Sequence, residues 1–310
     1  MTFRSFLAQL LIPMASLAQS TAGTARMGMP QPEAVRIGHL KVWMLKDGQV
    51  SLEGSLLKGL APTDARRMLG GKDAAATPVN AFLVQMPGMN VLVDTGLGKD
   101  PLGGKDPGED QGHLVEQLAA AGVRPSGIDL ILITHYHFDH IGGLLNADGT
   151  RAFPRARLVV PLSEQTFWLR EPSSLPEPLR GRIPRLKAIF SAYEKARAFR
   201  TFADGEDPAP GIHALAAHGH TGGHTVYAFH SKGQDLWCIG DLIHFGAVQF
   251  ERPEVGVTFD LEGERAVRVR EELFREAARS KVVLAGAHLP QFVRIEAKGT
   301  GYGALPVPQR

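Results

Sequence analysis

One stretch limits what this chain can be. In Thr134-His135-Tyr136-His137-Phe138-Asp139-His140-Ile141-Gly142-Gly143, three histidines and one aspartate fall within six positions. The run before it, Asp129-Leu130-Ile131-Leu132-Ile133, is short and apolar. That is the pattern of a buried strand in a parallel sheet. The glycine pair, followed by Leu144-Leu145, reads as a turn into a new element. The cluster therefore sits where a buried strand ends, at the carboxyl edge of a sheet, where open α/β sheets place ligands.

The spacing has direct chemical meaning. His135 and His137 are two apart, so an extended backbone points both imidazoles the same way. Asp139 and His140 follow on the next turn and face a second point nearby. Imidazole and carboxylate suit Zn, Mn, Fe and Co, and no thiolate is offered. A tetrahedral zinc takes at most four protein ligands. This cluster, with the histidines further along, offers more, which makes room for two ions. A lone histidine is more often an ordinary core or surface residue. A packed set of this kind is different, because each polar group buried without a partner would cost about 1–3 kcal/mol.

Composition supports a globular chain. The 310 residues are 44% hydrophobic and 21% charged, enough for a substantial core. A net charge of +2, with no dense Lys/Arg run, argues against nucleic acid as a partner. The single cysteine, Cys238, lies in the apolar run Leu236-Trp237-Cys238-Ile239 and reads as a small core hydrophobe. With one cysteine there is no intramolecular disulfide.

The N-terminus departs from the rest. Arg4 precedes the mostly apolar residues 6–18, a run too short to span a bilayer. Ser16-Leu17-Ala18 and Ser20-Thr21-Ala22 both offer small residues where a signal peptidase reads. The expected organisation is a signal peptide at 1–22, a flexible leader at 23–34 and one domain at 35–310. The mature protein is then exported, periplasmic or secreted, with no membrane segment. Its partner is a small-molecule substrate, and a homodimer is left open.

Along the chain, Lys46-Asp47-Gly48 within alternating apolar positions reads as a hairpin turn. Residues 56–76 are a polar excursion with a helical patch near Met68, and they are candidates to cover the site. Residues 79–84 and 91–93 read as paired strands that end on Asp94-Thr95-Gly96. Asp94 alone would read as a turn-capping carboxylate. Beside the histidine cluster it reads as an acceptor for the free N–H of a ligating imidazole. Residues 172–184 hold four prolines and read as irregular. Residues 189–199 read as a helix. Phe167, Trp168 and Phe190 in this insertion are candidates to wall a substrate pocket. Residues 264–280 read as an amphipathic helix burying Ala266, Val269, Leu273 and Ala277. Residues 295–310 read as a surface tail.

A second cluster, His218-Gly219-His220-Thr221-Gly222-Gly223-His224, has glycines that let the backbone approach a metal. Gly240-Asp241 and Gly286-Ala287-His288 each end an apolar run. A carboxylate has two oxygens, so Asp241 can bridge two cations. His224 and His244 are expected to support the ligands rather than bind metal.

H-x-H-x-D-H after an apolar strand resembles the metallo-β-lactamase superfamily, mostly metal-dependent hydrolases. The resemblance runs from about residue 35 to 290. It implies a mixed α+β fold, the four-layer αββα sandwich. By the match, His220 holds the place of the third histidine of the first site, although Gly222 stands where proline is usual. The implied sets are His135, His137 and His220 around one ion and Asp139, His140 and His288 around the other, with Asp241 between. Asp241, with Gly240-Asp241-Leu242-Ile243 and Ala287-His288-Leu289-Pro290, is similar to the branch of methyl parathion hydrolase and the N-acyl homoserine lactonases.

The resemblance implies an exported hydrolase with two divalent ions, most readily zinc, with Mn, Fe or Co as alternatives. A metal-bound water loses its proton near pH 7 and would attack a lactone, carboxylic ester or phosphotriester. Asp139 would both ligate and orient that nucleophile. Two other readings stand on the same scaffold: a mononuclear iron dioxygenase, and a metal-binding protein without turnover.

Overall fold

Two β-sheets carry the chain. The computed structural model describes residues 31–99, 111–171, 173 and 175–308. The expected signal peptide and residues 23–30 of the expected leader lie outside the described residues. Strand β1 (Glu33–Ile37) takes in the last two residues of the expected leader. It is followed by β2 (Leu40–Glu53), β3 (Leu57–Lys58), β4 (Ala74–Met86), β5 (Met89–Val93), β6 (Leu130–Leu132), β7 (Arg157–Pro161) and β8 (Phe199–Phe202). Then come β9 (Ile212–Ala216), β10 (Thr225–Ser231), β11 (Gln234–Gly240), β12 (Gly256–Val257), β13 (Val283–Gly286), β14 (Val293–Lys298) and β15 (Gly301–Pro306). The helices are α1 (Pro62–Met68), α2 (Leu114–Ala120), α3 (Phe138–Ile141), α4 (Leu162–Leu169), α5 (Glu177–Arg180), α6 (Ile183–Lys195), α7 (Gly246–Gln249) and α8 (Gly263–Ser280).

The first sheet has the order β1-β2-β4-β5-β6-β7-β8 and the second β15-β14-β13-β11-β10-β9. Side-chain parity decides the layering. On β6, Leu130 and Leu132 join a core with Val91, Val93, Tyr227, Phe229, Leu236 and Cys238, which packs the two sheets face to face. Ile131 points the other way, into a core with Leu118 of α2, Trp168 of α4 and Leu186 of α6. Beyond the second sheet, Val226, Trp237 and Leu284 pack against Phe274 and Ala277 of α8. Helix, sheet, sheet, helix is the four-layer sandwich. Its central strands β6 and β11 are apolar on both faces because both faces are covered.

β5, β6, β7 and β8 run parallel to one another, as do β11 and β13. Their carboxyl ends therefore open on one edge, where Asp94, the 134–140 segment, Asp241 and His288 emerge. Gly142 explains the glycine pair after the motif: a Cβ there would lie 1.8 Å from the Leu97 carbonyl oxygen. Gly142 instead donates its N–H to Gly96, and Thr95 donates to the His140 carbonyl. These bonds lock the motif turn against the end of β5.

Several expectations change. Lys46-Asp47-Gly48 is a register shift within the long strand β2, and the turn lies earlier, between Ile37 and Leu40. The buried Asp47 carboxylate accepts from the N–H groups of Leu97, Gly98 and Leu114, so its job is tertiary. The proline-rich stretch holds the one-turn helix α5, because a first-turn proline gives up no helical hydrogen bond. Helix α6 spans Ile183–Lys195, starting earlier than expected and ending before Phe199, which belongs to β8. The 295–310 segment is the edge of the second sheet, with β14 and β15 paired from Val293↔Pro306 to Lys298↔Gly301. On α8 the buried residues are Ala266, Arg270, Phe274 and Ala277, with Val269 and Leu273 only partly covered. Among the described residues, no helix is long and apolar enough to cross a membrane.

Candidate metal centre

The motif folds as its spacing requires. β6 ends at Leu132, and His137 is still extended, at φ −70° and ψ 157°, before α3 begins at Phe138. The His135 and His137 rings therefore sit side by side, centroids 4.6 Å apart and nearly perpendicular. The helical turn then wraps Asp139 and His140 round to a second point. His220 enters from the loop before β10, Asp241 from the end of β11 and His288 from the end of β13.

Asp241 is the centre of this arrangement. Its Oδ2 lies 3.6 Å from His135 Nε2 and 3.3 Å from His220 Nε2. Its Oδ1 lies 3.1 Å from His140 Nε2 and 3.3 Å from His288 Nε2. His137 faces inward through Nδ1, 3.0 Å from His220 Nε2. The Asp139 carboxylate lies 3.4 Å from His288 Nε2 and 3.6 Å from His140 Nε2. Two four-donor sets result: His135, His137, His220 and Asp241, and Asp139, His140, Asp241 and His288.

These sets fit divalent cations. Metal–nitrogen and metal–oxygen bonds of about 2.0–2.1 Å place tetrahedral ligand atoms roughly 3.3 Å apart, and the spacings above bracket that value. His135 Nε2, His140 Nε2 and Asp241 Oδ1 are buried with no hydrogen-bond partner. Buried polar atoms are normally satisfied, so these three are donors in want of a cation. All are nitrogen or oxygen atoms, which suits zinc and equally admits Mn, Fe or Co.

The surroundings fix the tautomers. Asp94 accepts His140 Nδ1–H at 2.8 Å, and also the N–H and hydroxyl of Thr134. His220 Nδ1 lies 3.0 Å from Asp260, and His288 Nδ1–H donates to the Pro78 carbonyl. Each leaves Nε2 as the inward donor atom. His224 donates Nδ1–H to the Ala217 carbonyl and accepts the Asp241 N–H at Nε2, so it positions the bridging carboxylate from behind. Gly240 makes that contact feasible: its φ is +48°, and a Cβ there would lie 2.7 Å from His224 Nε2. His244 Nε2 approaches Asp241 Oδ2 at 3.1 Å, and its ring stacks on His288. Asp94 and His224 thus stand behind the donor sets, whereas His244 lies beside Asp241 on the cleft side.

Two supports were not anticipated. Asp260 links His220 to Arg270, which is buried on α8 and donates to the carbonyls of Leu242, Pro253 and Val255. Glu164 on α4 accepts from Tyr136 N–H, Trp168 Nε1–H, Thr221 Oγ1–H and Gly223 N–H, tying the two histidine loops together. An amphipathic reading would put Arg270 outside, and Asp260 lies in a loop without a motif.

Electrostatics follow the geometry. Burial pushes His135 and His137 well down as bases, and neighbouring imidazoles add to the effect. At His140 burial acts the same way, but Asp241, Asp139 and Asp94 outweigh it and hold the ring well above its ordinary value. Burial is likewise outweighed at His220, where bonds and charge from Asp241 and Asp260 raise the value to about 9. Burial would raise Asp241, yet His140, His288, His244 and His135 hold it well below the carboxylate range.

Comparison with known proteins decides the family, because the profile of the metallo-beta-lactamase superfamily matches residues 74–288. The chain belongs to that superfamily.

A probable metallo-hydrolase of Mycobacterium bovis is 32% identical over 188 residues, covering 53% of this chain and 56% of the relative. The chain thus spans about half the length of that curated relative. A crystal structure of hydrolase AbOPH in the beta lactamase superfamily is 28% identical with a TM-score of 0.84, covering 91% of this chain and 99% of that one. AidC, a dizinc quorum-quenching lactonase, shares the fold at 23% identity and a TM-score of 0.80, covering 90% of this chain and 98% of that one. The two donor sets lie within or at the end of the matched region, residues 74–288.

A cleft of about 480 Å³ opens over the donor sets. Its apolar walls come from Val50, Leu52, Leu97, Phe138, Leu179 and Phe259. The aromatic residues expected there are elsewhere. Trp168 is fully buried behind His137, ring centroids 5.9 Å apart. Phe190 packs on Tyr136 and Phe199 inside the helical layer. Phe167 fills the space beside Gly222, where a Cβ would lie 2.4 Å from its ring. That contact accounts for glycine where the superfamily usually has proline. The insertion does reach the cleft, but through Pro176, Leu179 and Arg182. Residues 56–76 contribute Leu69, Ala75 and Ala76 to a separate cavity of about 340 Å³ that meets His244 and His288 from another side.

Proposed function

We propose that this protein is a dinuclear hydrolase of lactones and related carboxylic esters, with phosphotriester turnover as the competing activity. The observation that carries the reading is Asp241, whose two oxygens each face a separate set of histidines at the floor of an apolar cleft. Two divalent cations held there would lower the pKa of water and polarise the electrophilic oxygen of the substrate. His135, His137 and His220 would hold one, His140, Asp139 and His288 the other, and Asp241 both. Asp139, the more exposed of the two carboxylates, lines the cleft. It would orient the attacking water and carry its proton to the departing alkoxide. The apolar walls would bind an acyl or aryl body and exclude bulk water.

The complete second donor set favours this over a mononuclear iron dioxygenase. The cleft above it favours turnover over metal storage. The apolar N-terminus supports export, which a mass-spectrometric N-terminus of the secreted protein would test. The activity is tested by rates of one zinc-loaded preparation on an acyl homoserine lactone and an aryl phosphotriester. Lactone hydrolysis at the higher rate is expected. A dominant phosphotriester rate would reverse the order, and silence on both with two zincs bound would overturn the reading.

A further inference from the structure

One charged group in the cleft has no part in the chemistry above. Arg182 stands between α5 and α6 and lines the same cleft as Asp139, Asp241 and His288. Its guanidinium lies over the Phe138 ring, 4.3 Å from the centroid, and 5.9 Å from that of Trp168. Stacking occupies the faces of a guanidinium and leaves its in-plane N–H donors available. Among the described residues, none accepts a hydrogen bond from this side chain. Burial costs the cation some of its hydration, and Asp139 only partly compensates. Apart from Thr258, His244 and the donor-set residues, the rest of the lining is apolar.

We propose that Arg182 determines specificity by selecting esters whose acyl part carries a terminal carboxylate. This rests on the hydrolase reading. The guanidinium fork matches a carboxylate in two parallel bonds, which a neutral acyl chain cannot supply. Such bonds are stronger in a half-buried cleft than on an open surface, where salt screens them. Ester plus water then yields an alcohol and a dicarboxylic acid, whose distal carboxylate stays on Arg182.

The test compares two p-nitrophenyl esters of equal acyl length, the hexanoate and the adipate half-ester, on the zinc-loaded protein. Wild type is expected to favour the half-ester in kcat/KM by about 10–100-fold, the range of a charge-assisted hydrogen-bonded pair. Arg182→Met should collapse that ratio to near one, mainly through KM, and Arg182→Lys should restore part of it. No preference in wild type, or a preference that survives Arg182→Met, overturns the proposal. Calorimetric binding of adipate and hexanoate reads the same subsite without turnover. If neither ester is hydrolysed, the hydrolase reading fails separately. Tighter adipate binding that Arg182→Met abolishes would still support the anion subsite, and equal affinities would refute it.

Discussion

His220 and Asp260 meet at 3.0 Å, although 40 residues separate them and nothing in the sequence pairs them. The carboxylate holds Nδ1 of the ring and is itself held by Arg270 and by the N–H of Val257. A ligating imidazole tethered in this way keeps Nε2 aimed at the metal and gains basicity.

Asp260→Ala should therefore weaken binding of one of two zinc ions by roughly 10–100-fold, the usual effect of losing such a carboxylate. Chelator competition would read it directly. Asp260→Asn, which keeps an acceptor oxygen, should lose less. Equal zinc affinity in Asp260→Ala and wild type would remove Asp260 from the centre.

Protons and metal should compete at the same nitrogen. In the metal-free protein His220 stays protonated up to about 9, against 6.5 for an ordinary histidine. A pKa raised by folding adds stability that is complete below the unfolded value and disappears as pH rises through the folded one. The metal-free protein should then lose Tm between pH 6.5 and about 9, while the zinc-loaded protein should not, since zinc has displaced the proton. Zinc binding at pH 7 should release protons, seen by calorimetry in buffers of different ionisation enthalpy. Binding without proton release would contradict the His220 assignment.

Trp168 and Phe259 should separate stability from selectivity. Trp168 is fully buried and Phe259 is 37% exposed in the cleft wall. Trp168→Ala should cost about 3–5 kcal/mol of stability in denaturant titration, and more if Glu164 is left short of a donor. Phe259→Ala should leave the melting temperature nearly unchanged and lower kcat/KM several-fold for long acyl chains. The reverse pattern would move the pocket to where the aromatic sequence suggests it.

Gly222 and Phe167 form a size-complementary pair. Gly222→Ala should destabilise by about 1–3 kcal/mol through overpacking, and Phe167→Ala in the same chain should recover part of that. Additive losses in the double variant would show that the two sites do not interact.

The sequence by itself determined the family and the layered fold, and through the resemblance it pointed to the candidate ligands that folding brings within reach of one another. Each ligand closes or follows an apolar run, and a run with histidine or aspartate at its carboxyl end is legible without knowing its neighbours. Hydrophobic periodicity and one local motif mark those strand ends because both act over a few residues, and the resemblance to the superfamily added His220, Asp241 and His288 to the motif. The tertiary structure decided everything that depends on who meets whom. Asp260 and Glu164 are single carboxylates in unremarkable contexts, and only folding brings them to His220 and to the two histidine loops. Arg270 would be read as solvent-facing, yet three carbonyls and a carboxylate satisfy it inside. Asp47-Gly48 looks like a turn, but its carboxylate serves backbone donors about 50 and 67 residues away. The aromatic residues of the insertion were expected in the pocket and went to the core. Large apolar rings gain most by complete burial, and composition alone does not tell a core-filling ring from a pocket-lining one.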